Sequence, residues 1–473
     1  MHVTSRQFKD NIKGAVSDAN LRHSLATMKT GFRAKRGIAV AALPEFEALR
    51  DAGKAIKDHA LQHLDHYLER FEAKVLEGGG HVHWARDADS ACRAVLDICR
   101  QHGARTVTKG KSMVAEEIEL NAYLEKNGVR PVETDLGEYI IQLRHELPSH
   151  IIAPAIHVRK SQVAQTFREN HPQFPADRAL EEPRDLLDEA RTVLRSHFLG
   201  ADVGITGANL LIAETGSTVI VTNEGNGDLT QLLPRVHIVV TSIEKVVPTL
   251  EDASTILRLL ARSATGQAMS SYTTFSTGPR RPEDPDGPDH FHVVLVDNGR
   301  TGMLGTEFHE ALRCIRCAAC INHCPIYGAV GGHAYGSVYP GPIGSVITPA
   351  LASLEEAGSL PNASTLCGRC EAVCPMKIPL PRMLRHWREH EFARHLTPPR
   401  MRWGLRLWAF AARRPALYRL GTGMAGRMLS RMAGRRGRLS SLPLAGGWTQ
   451  VRDLPAPPPG GTFMARYKRG QTH

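Results

Sequence analysis

No uncharged apolar run in these 473 residues approaches the ~18 that a membrane-spanning helix needs. The opening residues, Met1-His2-Val3-Thr4-Ser5-Arg6, lead into polar, helix-like sequence without the apolar core of a secretion signal. The two absences set the expectation of a cytoplasmic protein, membrane-associated at most. No Gly-rich dinucleotide fingerprint, a G-x-G-x-x-G turn between strand and helix, is read in the chain, so hydride chemistry on a bound nicotinamide or flavin is not expected. Acidic residues nearly vanish from the end of the chain. Residues 381–473 hold 19 of the 59 Lys and Arg but only three acids, Glu389, Glu391 and Asp453, a net +16 against −5 for the remainder. The overall charge of +11 is therefore a local property of the tail and speaks of one partner surface.

Cysteine is rare, and seven of the nine are crowded into two runs. The first, Cys314 to Pro325, is C-x2-C-x2-C-x3-C-P, the spacing of two-cluster ferredoxins, in which the fourth cysteine serves the other cluster. The second, Cys367 to Pro375, is C-x2-C-x3-C-P, the same motif with Ser364 where its first cysteine would stand. Exchange of the last ligands assigns Cys314, Cys317, Cys320 and Cys374 to cluster one, and Cys324, Cys367 and Cys370 to cluster two. The second cluster is one cysteine short. It is a [4Fe–4S] cluster with a non-cysteine ligand or an open corner, or a [3Fe–4S] cluster. Zinc closes with four ligands, usually from two CxxC pairs, and fits this pattern poorly. A disulfide framework suits small secreted domains, which this is not. Cys92 and Cys99 lie near one face of an expected helix and read as core residues.

Taken in order, residues 1–75 read as a helical segment, with Leu61, Leu64, Leu68, Phe71 and Val75 at intervals of three and four. Residues 76–300 alternate strand-like and helix-like stretches, which predicts an α/β domain with a mainly parallel sheet. Strands are expected at His81–Ala85, Arg105–Thr108, Val129–Thr134, Ile151–Pro154, Val203–Thr206, Ser217–Thr222, His237–Thr241 and Phe291–Asp297. Residues 271–290 read as a long surface loop. Residues 301–385 are expected to form a helical ferredoxin-type domain, with a helix at Pro349–Ala357 in its Gly/Pro-rich spacer. Residues 386–473 form a basic extension that is helical at first and irregular at Pro455–Gly461.

Three loops of the α/β region are candidate sites. Lys109-Gly110-Lys111-Ser112 stands where a strand hands over to a helix and resembles a phosphate loop without its G-x4-G-K-[ST] frame; the alternative is a plain turn with solvated lysines. Glu133-Thr134-Asp135-Leu136-Gly137-Glu138 offers carboxylates for acid–base or metal chemistry, or simply a helix cap. Glu214–Thr218 and Asn223–Asn226 flank the best strand, and the second group is slightly favoured because ligands of open sheets sit at the carboxyl ends of strands; the alternative is tight turns needing Gly and Asn at positive φ.

Read with the cysteine runs, His83-Trp84-Ala85, Lys111-Ser112-Met113, Glu116-Glu117-Ile118, Glu133 to Ile140 and Ser149-His150-Ile151 resemble pieces of the lactate utilization protein B family over nearly the whole chain. That resemblance implies an iron–sulfur electron-transfer subunit in bacterial oxidation of L-lactate to pyruvate, with the seven cysteines as cluster ligands and two iron–sulfur clusters as cofactors. It implies as partners a second iron–sulfur subunit and a subunit sharing the α/β (LUD-type) domain, itself distantly similar to sugar-phosphate isomerase and CoA-transferase folds. It carries over no catalytic residue. Two other readings compete. One is a self-contained α/β enzyme for a phosphorylated or CoA-like ligand with regulatory clusters. The other is a nucleic-acid binder using the Arg-rich tail, which is not expected because it leaves the cysteines without a role. The tail's Trp403, Leu405, Leu407, Trp408 and Phe410 among Arg402, Arg406, Arg413 and Arg414 suggest docking on an acidic partner, or transient membrane contact; the alternative is a solvated helix packed loosely on the cluster domain.

Overall fold

A computed structural model describes residues 3–110, 112–442, 449, 452–457 and 462–470. Lys111 and Trp448, and residues 458–461 of the irregular stretch, lie outside the described residues. The chain forms two compact units, Met1–Glu391 and Phe392–His473.

Among the described residues the first unit holds ten strands: β1 (His81–Ala85), β2 (Thr106–Lys109), β3 (Arg130–Glu133), β4 (Val203–Thr206), β5 (Leu210–Ile212), β6 (Ser217–Thr222), β7 (Val236–Ser242), β8 (Val246–Val247), β9 (Tyr272–Ser276) and β10 (His290–Val296). Six form a wholly parallel sheet in the order β1-β10-β7-β4-β2-β3. The inner strands β4 and β7 are buried at every position, as expected of a parallel sheet covered on both faces. Helix Ala88–Gln101 covers part of it, started by a capping box in which the Asp87 carboxylate accepts from Ser90 N–H at 2.8 Å. This helix buries Cys92 and Cys99, whose thiols burial pushes up to about 12. Gly204 on β4 is required for packing: a Cβ there would lie 1.8 Å from the Thr230 carbonyl oxygen. Its absence lets helix Asn226–Leu232 press onto the sheet.

Four expectations are corrected. Ser217–Thr222 is not in the parallel sheet. Strands β8-β5-β6-β9 form a second sheet in which β6 is antiparallel to both neighbours, because a link of four residues from β5 can turn a hairpin but cannot make a parallel crossover. Its turn passes through Gly216 at φ +69°, where a Cβ would lie 2.7 Å from backbone atoms of Lys74 and Val75. The first part of the expected loop 271–290 is strand β9. Ile151–Pro154 is not a strand: the His150 ring nitrogen accepts from the N–H groups of Ile152 and Ala153, both at 3.1 Å, so these amides are met locally. The spacer helix runs Gly341–Leu351 with Pro349 in its last turn, and Leu354–Ala357 is a separate turn capped by Ser353.

The helices of the first 77 residues bury Leu61, Leu64, Leu68, Phe71 and Val75 as their periodicity predicts. Phe8, Leu25, Met28, Phe46 and Leu61 also share one hydrophobic core with the residues around both cysteine runs. Trp387, counted with the extension by sequence, is buried in this unit and stacks on Phe308 at 3.9 Å. In the second unit, helices Pro399–Ala412 and Pro415–Ala433 leave Trp403, Leu407 and Trp408 about two-thirds exposed, at 70%, 71% and 61%. A G-x-G-x-x-G spacing does occur there, at 421–426, but in mid-helix, with no strand-to-helix turn to bind a dinucleotide. Pro455, the first residue of the stretch expected to be irregular, joins Leu454 in a two-residue antiparallel pairing with Arg438–Leu439.

His237 on β7 is 1% exposed, its ring nitrogen 2.8 Å from the Thr206 hydroxyl, and burial lowers its pKa to about 3. Between the ordinary 6.5 and about 3 the unfolded chain takes up a proton that the folded chain refuses. Stability should therefore fall as pH falls through this window, by about 1.4 kcal/mol per pH unit. The urea midpoint of the wild type should drop more steeply from pH 6.5 to 4.5 than that of His237→Gln. Parallel profiles would remove His237 from the acid sensitivity.

Candidate two-cluster site

The two cysteine runs fold along the same path, fifty residues apart in sequence. Ala318 and Gly368, each directly after a cysteine, take left-handed φ of 57° and 79°. Each starts a four-residue helix, Ala319–Asn322 and Arg369–Ala372, and Cys324 and Cys374 follow. The turn aims backbone N–H groups at sulfur. Cys317 accepts from Ala319, Cys324 from Tyr327 and Ile326, Cys367 from Arg369, Cys370 from Glu371, and Cys374 from Ile378 and Met376. In this alignment Ser364 stands opposite Cys314, as the sequence suggests, and its hydroxyl accepts from Leu366 N–H at 3.1 Å.

Side-chain placement crosses the runs. Cys314, Cys317, Cys320 and Cys374 line one small cavity. Cys324, Cys367 and Cys370 are electrostatic neighbours of one another. Burial pushes the thiols of Cys317, Cys320 and Cys324 up, Cys370 to about 12 and Cys374 to about 11. Exposed Cys367 is instead lowered, first by the Arg369 N–H. Soft sulfur donors in two separate sets, each met by N–H groups, fit two iron–sulfur clusters, and loading must displace protons from the buried thiols.

Sequence reading missed the arginines that close this cradle from the N-terminal helices. Arg33 donates to the Asn322 carbonyl, Arg36 to Val373 at 2.8 Å, and Arg50 to Cys374 at 2.7 Å and Ala372 at 3.2 Å. Cations this close to the sulfur sets favour the more negative, reduced state of a cluster. Also missed was a buried ion network joining sheet and cysteines. Arg300, 2% exposed, donates to both Glu117 oxygens at 2.8 and 2.6 Å and lies 2.9 Å from Glu244. Tyr339 donates to Glu117 at 2.6 Å. Arg316, inside the first cysteine run, lies over the Tyr339 ring at 4.5 Å and 3.5 Å from Glu244. From sequence, only Glu117, within the resembling pieces, and Arg316, between Cys314 and Cys317, stood out at all.

The candidate loops of the α/β domain resolve differently. Lys109 is neither a phosphate ligand nor solvated: it is fully buried, 2.5 Å from Glu116 and 2.7 Å from Glu133. The pair of carboxylates keeps it protonated, while burial pushes the Glu133 carboxyl up. Asp135 caps helix Leu136–Leu143 through the Gly137 and Glu138 N–H groups, at 2.9 and 3.2 Å. Glu214 accepts from Leu250 N–H at 3.1 Å beside the Gly216 turn. Asn226, by contrast, reaches a chamber of about 190 Å³ at the carboxyl ends of β2, β4 and β7, whose lining includes Ser112, Asn209, Lys245 and Arg316. Burial lowers the Lys245 ammonium to about 8.

Residues 68–296 match the LUD domain, residues 310–378 the 4Fe-4S dicluster domain and residues 369–469 the C-terminal region of lactate utilisation protein B. The class is thus an iron–sulfur protein in which a LUD domain precedes a domain for two [4Fe–4S] clusters. Lactate utilization protein B of Bacillus licheniformis is 41% identical over 460 residues, covering 97% of this chain and 95% of that protein. Its counterpart in Shouchella clausii is 42% identical over 473 residues, covering 99% and 98%. The chain belongs to the lactate utilization protein B family. The crystal structure of a DUF162 family protein from Deinococcus radiodurans matches 49% of this chain and 98% of its own, at 15% identity and a TM-score of 0.28. Among the described residues no helix is long and apolar enough to cross a membrane.

Proposed function

We propose that this chain is the iron–sulfur electron-transfer subunit of a system oxidising L-lactate to pyruvate, allowing lactate to serve as a carbon source. The observation that supports this most is the crossing of the two cysteine runs. Cys314, Cys317, Cys320 and Cys374 would hold one cluster, and Cys324, Cys367 and Cys370 the other, with a non-cysteine group or an open corner at its fourth iron. Bound clusters supply one-electron transfer, and a neighbouring pair can divide the two electrons that lactate yields. The protein's own part is to fix the two sulfur sets, aim N–H groups at them and bring Arg36 and Arg50 close. The partners are a second iron–sulfur subunit and a LUD-domain subunit, in the cytoplasm. Anaerobically purified protein should carry about eight irons. Its electron paramagnetic resonance spectrum should change when lactate and the partner subunits are added together. Zinc-loaded protein without visible absorbance, or clusters indifferent to lactate in the assembled system, would refute the reading.

The second unit supports a docking role. Its exposed Trp403, Leu407 and Trp408 lie among arginines, the composition of interface cores, and its charge suits an acidic partner subunit or transient contact with an anionic membrane. Deleting residues 400–473 should leave the iron content unchanged and weaken co-purification with the partners at least tenfold. Full assembly by the truncated chain would exclude docking.

A further inference from the structure

Electron transfer alone leaves the 190 Å³ chamber without a purpose. It lies where the parallel sheet diverges: from β2 the chain continues outward to β3, whereas β4, on the other side of β2, leads to β7. Open α/β sheets bind ligands at the carboxyl ends of strands beside such a divergence.

The chamber's walls are polar in a particular way. Two cations line it, Lys245 just after β7 and Arg316 from the first cysteine run. The Arg316 side chain is 12% exposed, and its Nη2 is the atom near Glu244, while its Nη1 is buried with no hydrogen-bond partner. Asn226 Oδ1 and Thr222 Oγ1, lining the same chamber, are likewise buried and unpartnered. Buried polar atoms are almost always paired, so three orphans around one small chamber mark a place built for a polar guest. Their chemistry restricts it. A guanidinium nitrogen and an ammonium call for an anion such as a carboxylate. The Asn226 oxygen needs a donor, which a hydroxyl on the guest would supply. At about 190 Å³ the chamber itself has room for a small acid, and it shares Asp135, Ile152, Asn223, Glu224 and Asn226 with an adjoining cleft of about 1440 Å³. Asp135 also faces this space, but its carboxylate is engaged in capping.

We propose that this chamber is a binding site for a small 2-hydroxy carboxylate, so that this chain itself, and not a partner alone, holds the substrate. Arg316 and Lys245 take the carboxylate, and Asn226 and Thr222 take the hydroxyl. Arg316 and Ile151 line both this chamber and the cavity of Cys314, Cys317, Cys320 and Cys374, so the bound acid is separated from the first sulfur set by shared walls. The inference rests on the electron-transfer reading for the identity of the acid but is tested apart from it.

The test is calorimetric titration of the cluster-loaded full chain, under argon, with L-lactate, propionate and inorganic phosphate. L-Lactate should bind, with propionate and phosphate at least tenfold weaker. Lys245→Gln and Thr222→Val should each weaken L-lactate at least fivefold, with visible and paramagnetic spectra of the clusters unchanged. Asn226→Ala should reduce the preference for lactate over propionate. No lactate binding by the loaded protein, variants that bind as the wild type does, or equal affinity for propionate or phosphate would overturn the proposal. Iron content and spectra judge the electron-transfer reading, whereas saturation binding judges the chamber, so each can fail alone.

Discussion

Cys374→Ser should remove the cluster of the first cysteine run while leaving the second in place, with iron content falling from about eight to about four per chain. Cys324→Ser, a substitution within the first run, should do the reverse. The expectation follows from placement. Cys374 lines the cavity of Cys314, Cys317 and Cys320, and Cys324 neighbours Cys367 and Cys370. The last cysteine of each copy of the repeated path therefore points away from its own copy. Iron analysis and low-temperature paramagnetic resonance of the two variants decide it. If each serine eliminated only the cluster of its own run, the exchange would be wrong. The second cluster should also lose iron first under mild chelation, because only three cysteines face it and Cys367 is exposed.

Arg300→Met should cost about 3–5 kcal/mol of stability, the penalty for leaving buried charges without their partner. Arg300 is fully enclosed, and its loss leaves Glu117, at 0% exposure, without a cation and Glu244, at 3%, with Arg316 at 3.5 Å. Glu117 would keep only neutral donors, Asn298 at 2.7 Å and Tyr339 at 2.6 Å. With Arg300 present, its carboxyl is held below the usual range despite burial. The contrast is Arg235, whose side chain is 82% exposed and 2.7 Å from Asp289. Arg235→Ala should change stability by no more than ~1 kcal/mol, since water screens a surface pair. Urea unfolding of the two variants compares them directly. A small effect at Arg300 would mean that the network relaxes or floods. It would then not be the rigid joint between sheet and cysteine runs that its distances describe.

Much of this was legible in the sequence because local rules and tertiary structure agree. Val236–Ser242 and His290–Val296 are apolar runs because both faces of the sheet are covered. The cysteine spacing records a turn that needs sulfur at fixed intervals. Where the reading failed, non-local geometry decided. Ser217–Thr222 has the composition of a parallel strand but is turned back by the Gly216 hairpin. Ile151–Pro154 is β-prone, yet its amides are taken by His150. Lys109 looked like a phosphate ligand because nothing local shows that Glu116 and Glu133 fold over it. Arg36, Arg50 and Arg300 were invisible for the same reason: each acts more than 180 residues away from itself in sequence.

The hydrogen bonds from Arg50 to the Cys374 carbonyl join residues 324 positions apart. Consider this as a matter of timing. During synthesis the N-terminal helices and the whole sheet leave the ribosome before the residue that they must grip exists. The first run of cysteines emerges some fifty residues ahead of Cys374, so three of the thiols that line its cavity are present before the fourth. Contacts of such long range close late and slowly. Iron delivered to the growing chain would meet an unfinished, oxygen-exposed trio of sulfurs, so faithful loading belongs after release, on a chain whose protein scaffold has already closed.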